Sequence, residues 1–209
     1  MKFVVVSDTH LQHHRLQLPA GDVIVHAGDL TDTGRMEEVV DFLDWFRTLD
    51  FKYKIFIAGN HDFYLEKISH TSQEKELLPP GIHYLNDTGI TIEGIKIWGS
   101  PVQPQFFNWA FNRKRGMEIQ KHWDMIPDDT HLLITHGPPY DILDINNEGE
   151  NVGCRNLLDT VTRIKPAVHV FGHIHEAYGR KKLNGTDFMN ASILNSAYHF
   201  QNKPHCFEI

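Results

Sequence analysis

The chain has almost no cysteine: Cys154 and Cys206 are its only two in 209 residues. Two cysteines give neither a disulfide framework nor a Cys-type zinc site, so the expected home is a reducing, cytoplasmic one. Long apolar runs are also missing. The stretch before Asp8 is too short for a signal-peptide core and nothing approaches a membrane-spanning helix, so no membrane partner is expected. The chain has no excess of positive charge; its balance is −7. That disfavours long nucleic acid as a partner, while leaving room for a locally positive pocket. Internal repeats, low-complexity tracts and linkers are absent too. With 41% hydrophobic and 22% charged residues, the chain reads as one domain over residues 1–209.

What the chain has in excess is histidine, 15 residues scattered along it. Their context is informative. Lys2 to Val6 is a continuous β-branched and aromatic run, the pattern of a strand buried on both faces, and it breaks at Ser7-Asp8-Thr9-His10. The device recurs four times. Val23-Ile24-Val25 runs out at Gly28-Asp29, and Tyr53 to Ala58 at Gly59-Asn60-His61-Asp62. His131 to Thr135 ends at His136-Gly137, and Val168 to Phe171 at Gly172-His173-Ile174-His175. His26 and His169 fall inside strands and read as structural. Apolar spacing predicts helices over residues 35–50, 116–125 and 152–164, and a β-hairpin over residues 88–99 around Glu93-Gly94. Residues 66–78 read as one further helix, stopped by Pro79-Pro80-Gly81, and residues 193–194 as a short strand. This is an α/β pattern, and in α/β sheets ligands gather outside the carboxyl ends of the strands.

One His-x-His pair is about what chance supplies in a chain with this much histidine. Five polar clusters, each directly after a buried strand, are not. Asp8, His10, Asp29, Asn60, His136, His173 and His175 form a mixed oxygen and nitrogen set that suits Mn²⁺, Fe or Zn²⁺ better than Mg²⁺ or Ca²⁺. Seven ligands exceed the need of one tetrahedral ion. They divide between two ions if one carboxylate bridges, and paired ions about 3.5–4 Å apart clamp phosphoryl oxygens.

Asp8-x-His10, Gly28-Asp29-x-x-Asp32, Gly59-Asn60-His61-Asp62, His136-Gly137 and Gly172-His173-x-His175 resemble the five-block signature of calcineurin-like metallophosphoesterases over nearly the whole chain. Val152-Gly153-Cys154, His169 to Glu176, Tyr178-Gly179 and Asn190-Ala191-Ser192 resemble more closely the metallophosphoesterase-domain-containing branch, akin to class III cyclic-nucleotide phosphodiesterases. The resemblance implies a two-sheet β-sandwich flanked by helices (α/β/β/α). It also implies that Asp8, His10 and His175 hold one metal, that Asn60, His136 and His173 hold another, and that Asp29 bridges them. His61 would stay off the metals as the catalytic acid, with Asp62 behind it where many relatives have Glu. Some animal members of the branch lack the first histidine of the last block; His173 is present here, so two divalent ions are expected, Mn²⁺ before Fe or Zn²⁺.

The expected reaction is in-line attack on phosphorus by hydroxide bridging two divalent ions, with His61 protonating the leaving alkoxide. Protein phosphatases of the superfamily carry an arginine where this chain has Thr33, and a guanidinium suits a dianionic monoester, so its absence tilts toward diesters. Small phosphodiesters, 2′,3′- or 3′,5′-cyclic nucleotides among them, are the expected substrates. A phosphomonoesterase is the alternative, and a non-enzymatic metal-binding module a more distant one. Phe107, Trp109 and Tyr178 are candidate contacts to a nucleobase, although the aromatic stretch 106–111 reads equally as a substrate lip, a core plug or an interface. A monomer and a homodimer are both expected states.

Overall fold

Alternation along the first strand sets up the layers. In the computed structural model, which describes residues 1–209, Phe3 and Val5 join one core while Val4 and Val6 join another. Successive strand residues face opposite sides of a sheet, so a strand apolar at every position must be covered twice.

The chain runs β1 (Lys2–Val6), β2 (Val23–Ala27), α1 (Met36–Thr48), β3 (Tyr53–Ile57), α2 (Phe63–Ile68), α3 (Ser72–Leu77) and β4 (Ile82–Tyr84). Next come β5 (Thr88–Ile92), β6 (Ile95–Ser100), β7 (Gln103–Pro104), β8 (Asn112–Arg113), α4 (Met117–Trp123) and β9 (Leu132–Thr135). The last elements are α5 (Arg155–Ile164), β10 (Val168–Phe171), β11 (Gly179–Leu183), β12 (Thr186–Asn190) and β13 (His205–Glu208). Of the two main sheets one has the order β13-β1-β2-β3-β4 and the other β11-β12-β10-β9-β6-β5, while β7 and β8 pair only with each other. They pack face to face through Phe3, Val5, Val25 and Ile57 on one side and Ile97, Leu132, Ile134 and Val170 on the other. Phe42 and Phe46 of α1 cover the outer face of the first sheet, while Trp123 of α4 and Leu157 and Val161 of α5 cover that of the second. Each such side chain contributes roughly 1.5–3 kcal/mol by its burial. The result is a single four-layer α/β/β/α sandwich. None of its helices is long and apolar enough to cross a membrane.

Three expectations change. The helix over 66–78 is two short helices, α2 and α3, parted where His70 adopts φ 59. The helix expected from residue 152 starts at Arg155, because the Gly153 N–H donates to Asp144 Oδ2 (2.9 Å) and the Val152 N–H to the Asp144 carbonyl (3.1 Å). Residues 193–194 form no strand, only a single bridge between Leu194 and Phe200.

What matters for the site is where strands end. β1, β2 and β3 are parallel neighbours in the first sheet, and β9 and β10 in the second. The sheets join beside Asp8: the Ser7 N–H donates to the Ala191 carbonyl (2.9 Å) and the Ile193 N–H to that of Ser7 (3.0 Å).

Candidate metal centre

Each chain segment leaving these strands must turn at once, and several do so in a backbone region that L-residues avoid. Asp8 (φ 55), His10 (φ 39), Asp29 (φ 54) and His173 (φ 68) all have positive φ without being glycine. Such residues cost roughly 1–2 kcal/mol each, and strain of this kind concentrates where a function needs it. Two glycines let the segments approach. A Cβ at Gly59 would overlap Asp29 Oδ1 and come within 2.6 Å of His136 Cε1, and one at Gly172 would overlap Asp8 Oδ2 and Ser7 Oγ.

The seven candidate ligands come together in two sets. Donor atoms of Asp8, His10 and His175 lie within 4.8 Å of one another, as do those of Asp29, His136 and His173. Asn60 belongs with the second set, its Oδ1 being 2.8 Å from His136 Nε2. Asp29 lies between the sets, with Oδ2 3.4 Å from His136 Nε2 and 3.8 Å from His10 Nε2. Three of the imidazoles are aimed by their other nitrogen. Nδ1 of His10 contacts the Thr31 carbonyl (3.2 Å), that of His136 the Ala27 carbonyl (3.0 Å) and that of His175 the Leu194 carbonyl (3.0 Å). A carbonyl can only accept, so Nδ1 carries a proton in each ring and Nε2 is the atom that can serve as ligand, at His136 once its own proton is lost. The Nε2 of His10 is buried and has no hydrogen-bond partner. A buried polar atom left so costs about 1–3 kcal/mol; a metal ion satisfies it, and the donor set fits one.

The electrostatics suit cations. Burial opposes the charge on Asp29, but His136 and then His10 outweigh it and hold the carboxyl well below the usual carboxylate range. Burial likewise opposes Asp8, and the His175 and His136 imidazoles overcome it; Ser192 Oγ (2.7 Å) and the His173 N–H (3.1 Å) donate to the same carboxylate. At His136, burial is outweighed by Asp29, which raises the ring to about 9, so binding a cation there releases a proton at neutral pH.

His61 stands beside the two sets. Its ring meets His10 edge-on at 4.6 Å, and its Nδ1 donates to the Asp32 carbonyl at 2.7 Å. Asp62 does not orient it, contrary to the expectation from the sequence. The Asp62 carboxylate turns away and accepts from the Gly59 N–H (2.7 Å), the Thr31 N–H (3.0 Å) and Thr31 Oγ1 (2.6 Å), tying the loop after β3 to the loop after β2. His26 and His169 are structural, their Nε2 atoms each 2.9 Å from a threonine hydroxyl, on Thr9 and Thr135.

A cavity of about 390 Å³ opens over His173 and His175, walled by Phe106, Arg115, Asn146 and Tyr198. The sequence pointed to other aromatics. Phe107 is 75% exposed and packs on Phe106 outside the cavity. Tyr178 stacks on His205 and donates its hydroxyl to the Lys203 carbonyl. Trp109 stacks on His61 at 4.4 Å, supporting that ring without lining the cavity. Tyr198, unremarkable in sequence, packs against His10 (4.8 Å) and His175 (5.4 Å). Arg115 also went unseen; two of its N–H groups are held by the Gly153 and Val152 carbonyls (2.8 Å each).

The sequence model described as calcineurin-like phosphoesterase matches residues 1–177. The human protein named metallophosphoesterase domain-containing protein 1 is 40% identical over 225 residues, covering 97% of this chain and 69% of its own length. An Arcobacter nitrofigilis protein named "Probable glycerophosphodiester phosphodiesterase GpdQ" is 26% identical, over 75% of this chain and 58% of its own. In fold, the crystal structure of TT1561 of Thermus thermophilus is similar, with a TM-score of 0.60 at 12% identity over 90% of this chain and 88% of that one. A family match over most of the chain, on a fold whose strand ends gather two sets of metal-binding side chains, places this protein among the calcineurin-like phosphoesterases.

Proposed function

We propose that the whole of residues 1–209 is one catalytic domain, a dinuclear-metal phosphodiesterase acting on small diesters, with cyclic nucleotides as the first candidates. The observation that carries this reading is the pair of ligand sets meeting at Asp29, with His61 alongside and a small cavity above. Asp8, His10 and His175 would hold one ion and Asn60, His136 and His173 the other, with Asp29 shared. When bound, two divalent ions supply an activated water and neutralise phosphoryl charge; Mn²⁺ is our first candidate, with Fe or Zn²⁺ behind it. Neither Cys154 nor Cys206 is in a disulfide, which fits a cytoplasmic setting.

Charge supports a diester. Thr33 is engaged with Glu38 through both its N–H (2.9 Å) and its hydroxyl (2.5 Å), so nothing at that position reaches a phosphate. The cavity's one guanidinium, Arg115, already gives two N–H groups to carbonyls. It can meet a singly charged phosphate without offering the free bidentate fork that favours a monoester dianion. Comparing kcat/KM on bis-p-nitrophenyl phosphate and on p-nitrophenyl phosphate, with Mn²⁺-loaded protein, tests this. The diester is expected to be preferred; preference for the monoester makes the protein a phosphatase, and hydrolysis of neither makes it a metal-binding module.

His61 has its Nδ1–H committed to the Asp32 carbonyl, so it is the imidazolium form whose Nε2–H would pass a proton to the leaving oxygen, returning the ring to neutral. Trp109, stacked on the ring, holds its plane. His61→Ala is expected to lower kcat about 10²–10⁴-fold on a substrate with an alkoxide leaving group, and far less on an activated aryl ester. Equal loss on both substrates would remove His61 from the acid role.

A further inference from the structure

A second histidine cluster lies outside the metal centre. Three residues beyond His10 the chain makes a 3₁₀ turn, His13–Arg15, and lays it against α1. His13 is fully buried, its ring 5.5 Å from Phe42 and 4.8 Å from Trp45, and neither of its nitrogens has a hydrogen-bond partner. An imidazole set into an aromatic wall with both nitrogens unsatisfied is costly as it stands. Its Nε2 is nevertheless 3.2 Å from Asp41 Oδ2, near in distance but out of line for a hydrogen bond. His14 Nε2 is 3.3 Å from the same carboxylate, and the donor atoms of all three residues lie within 4.8 Å of one another.

The two nitrogen-to-carboxylate spacings, 3.2 and 3.3 Å, match those around a small tetrahedral ion. Ligands bound at about 2.0–2.1 Å in a tetrahedron stand roughly 3.3–3.4 Å apart. We propose that His13, His14 and Asp41 form a third, mononuclear cation site, suited to Zn²⁺. Two imidazoles and one carboxylate are a nitrogen-rich, low-coordination set, and water completes the fourth position. The side chains of His14 and Asp41 are 55% and 50% exposed, so an ion enters from solvent while His13 holds it from the buried side. The site pins the turn to α1. That turn also steadies the first ligand block: Gln12 donates to the Tyr198 carbonyl (3.0 Å) and receives Arg15 Nη1 (2.6 Å), and Tyr198 packs on His10.

The test is equilibrium dialysis against Zn²⁺ in an Asp29→Ala background, which disables the central site and separates this proposal from that reading. The Asp29→Ala chain should retain one Zn²⁺, and adding His14→Ala or Asp41→Asn should abolish it. With Co²⁺ in place of Zn²⁺, the strong visible absorption of a four-coordinate ion should vanish in the same two variants. Both substitutions are at half-exposed positions, and circular dichroism of each variant checks that the fold is intact. Equal Zn²⁺ content in all three chains, or a Co²⁺ band that survives both substitutions, overturns the proposal.

Discussion

Replacing Asp29 with alanine is expected to empty both central metal positions at once. Its carboxylate is the group that reaches both sets: Oδ2 is 3.4 Å from His136 Nε2 and 3.8 Å from His10 Nε2, while Oδ1 is fixed by the His61 N–H at 2.8 Å. Without it, two nearly neutral ligand sets would have to hold two dications, with Asp8 as the only remaining carboxylate among the candidate ligands. By contrast, His175→Ala should weaken chiefly the ion of the Asp8–His10 set, and His173→Ala chiefly that of the His136 set. A two-metal site contributes several kcal/mol of charge stabilisation, and each 1.36 kcal/mol is tenfold in rate. For Asp29→Ala the loss in kcat/KM should therefore be about 10³-fold or more. Metal content by plasma mass spectrometry, on chains that also carry Asp41→Asn to silence the outer cluster, should fall from two ions per chain to nearly none. Retention of one full equivalent would show that Asp29 serves a single ion.

Gly172→Ala should be almost as damaging, although it removes no ligand. A Cβ there would overlap Asp8 Oδ2 and Ser7 Oγ and lie 2.7 Å from Ser7 Cβ. None of these atoms can yield cheaply. Ser7 and Asp8 are fully buried, and the Asp8 carboxylate is gripped by Ser192 Oγ and the His173 N–H. Overpacking of this kind costs typically about 1–3 kcal/mol, which in a chain of this size lowers Tm by roughly 2–4 °C per kcal/mol. Displacing a reacting group by about 1 Å costs on the order of 10²-fold in rate. Calorimetry and kcat/KM on the same preparation should show both effects together. A variant with wild-type activity and full metal content would mean that β10 can shift aside, and that the close packing there is not what positions Asp8.

The strand-end blocks were legible in the sequence because each is contiguous. A buried apolar run and the polar residues that break it are neighbours in the chain, as at Val6-Ser7-Asp8 or Phe171-Gly172-His173. How the blocks divide between sheets was not legible from pattern alone. Pairing β9 with β6 and β10, and β10 with β12, is a matter of long-range register, and only the family resemblance supplied two sheets. Asp62 illustrates the reverse error. It adjoins His61 in sequence, yet the chain turns between them and sends the carboxylate to Thr31 and Gly59. The cavity wall was hardest to foresee. Phe106 and Arg115 flank β8 while Asn146 and Tyr198 come from loops much further along the chain, and no periodicity marks which of their side chains turns inward. An aromatic-rich stretch therefore pointed to Phe107, which faces solvent, and missed Tyr198.

Both ligand sets draw on both sheets. Asp8, His10, Asp29 and Asn60 follow strands of the first, and His136, His173 and His175 follow strands of the second. Ions bound there would fasten one half of the sandwich to the other, closing chain loops as long as that from residue 8 to residue 175. A ligand that binds only the folded state stabilises it by about 2.7 kcal/mol at a hundred times its Kd. In a chain whose two thiols form no disulfide, the metal centre would thus act as a reversible cross-link, and the temperature at which the sheets part would follow the metal supply.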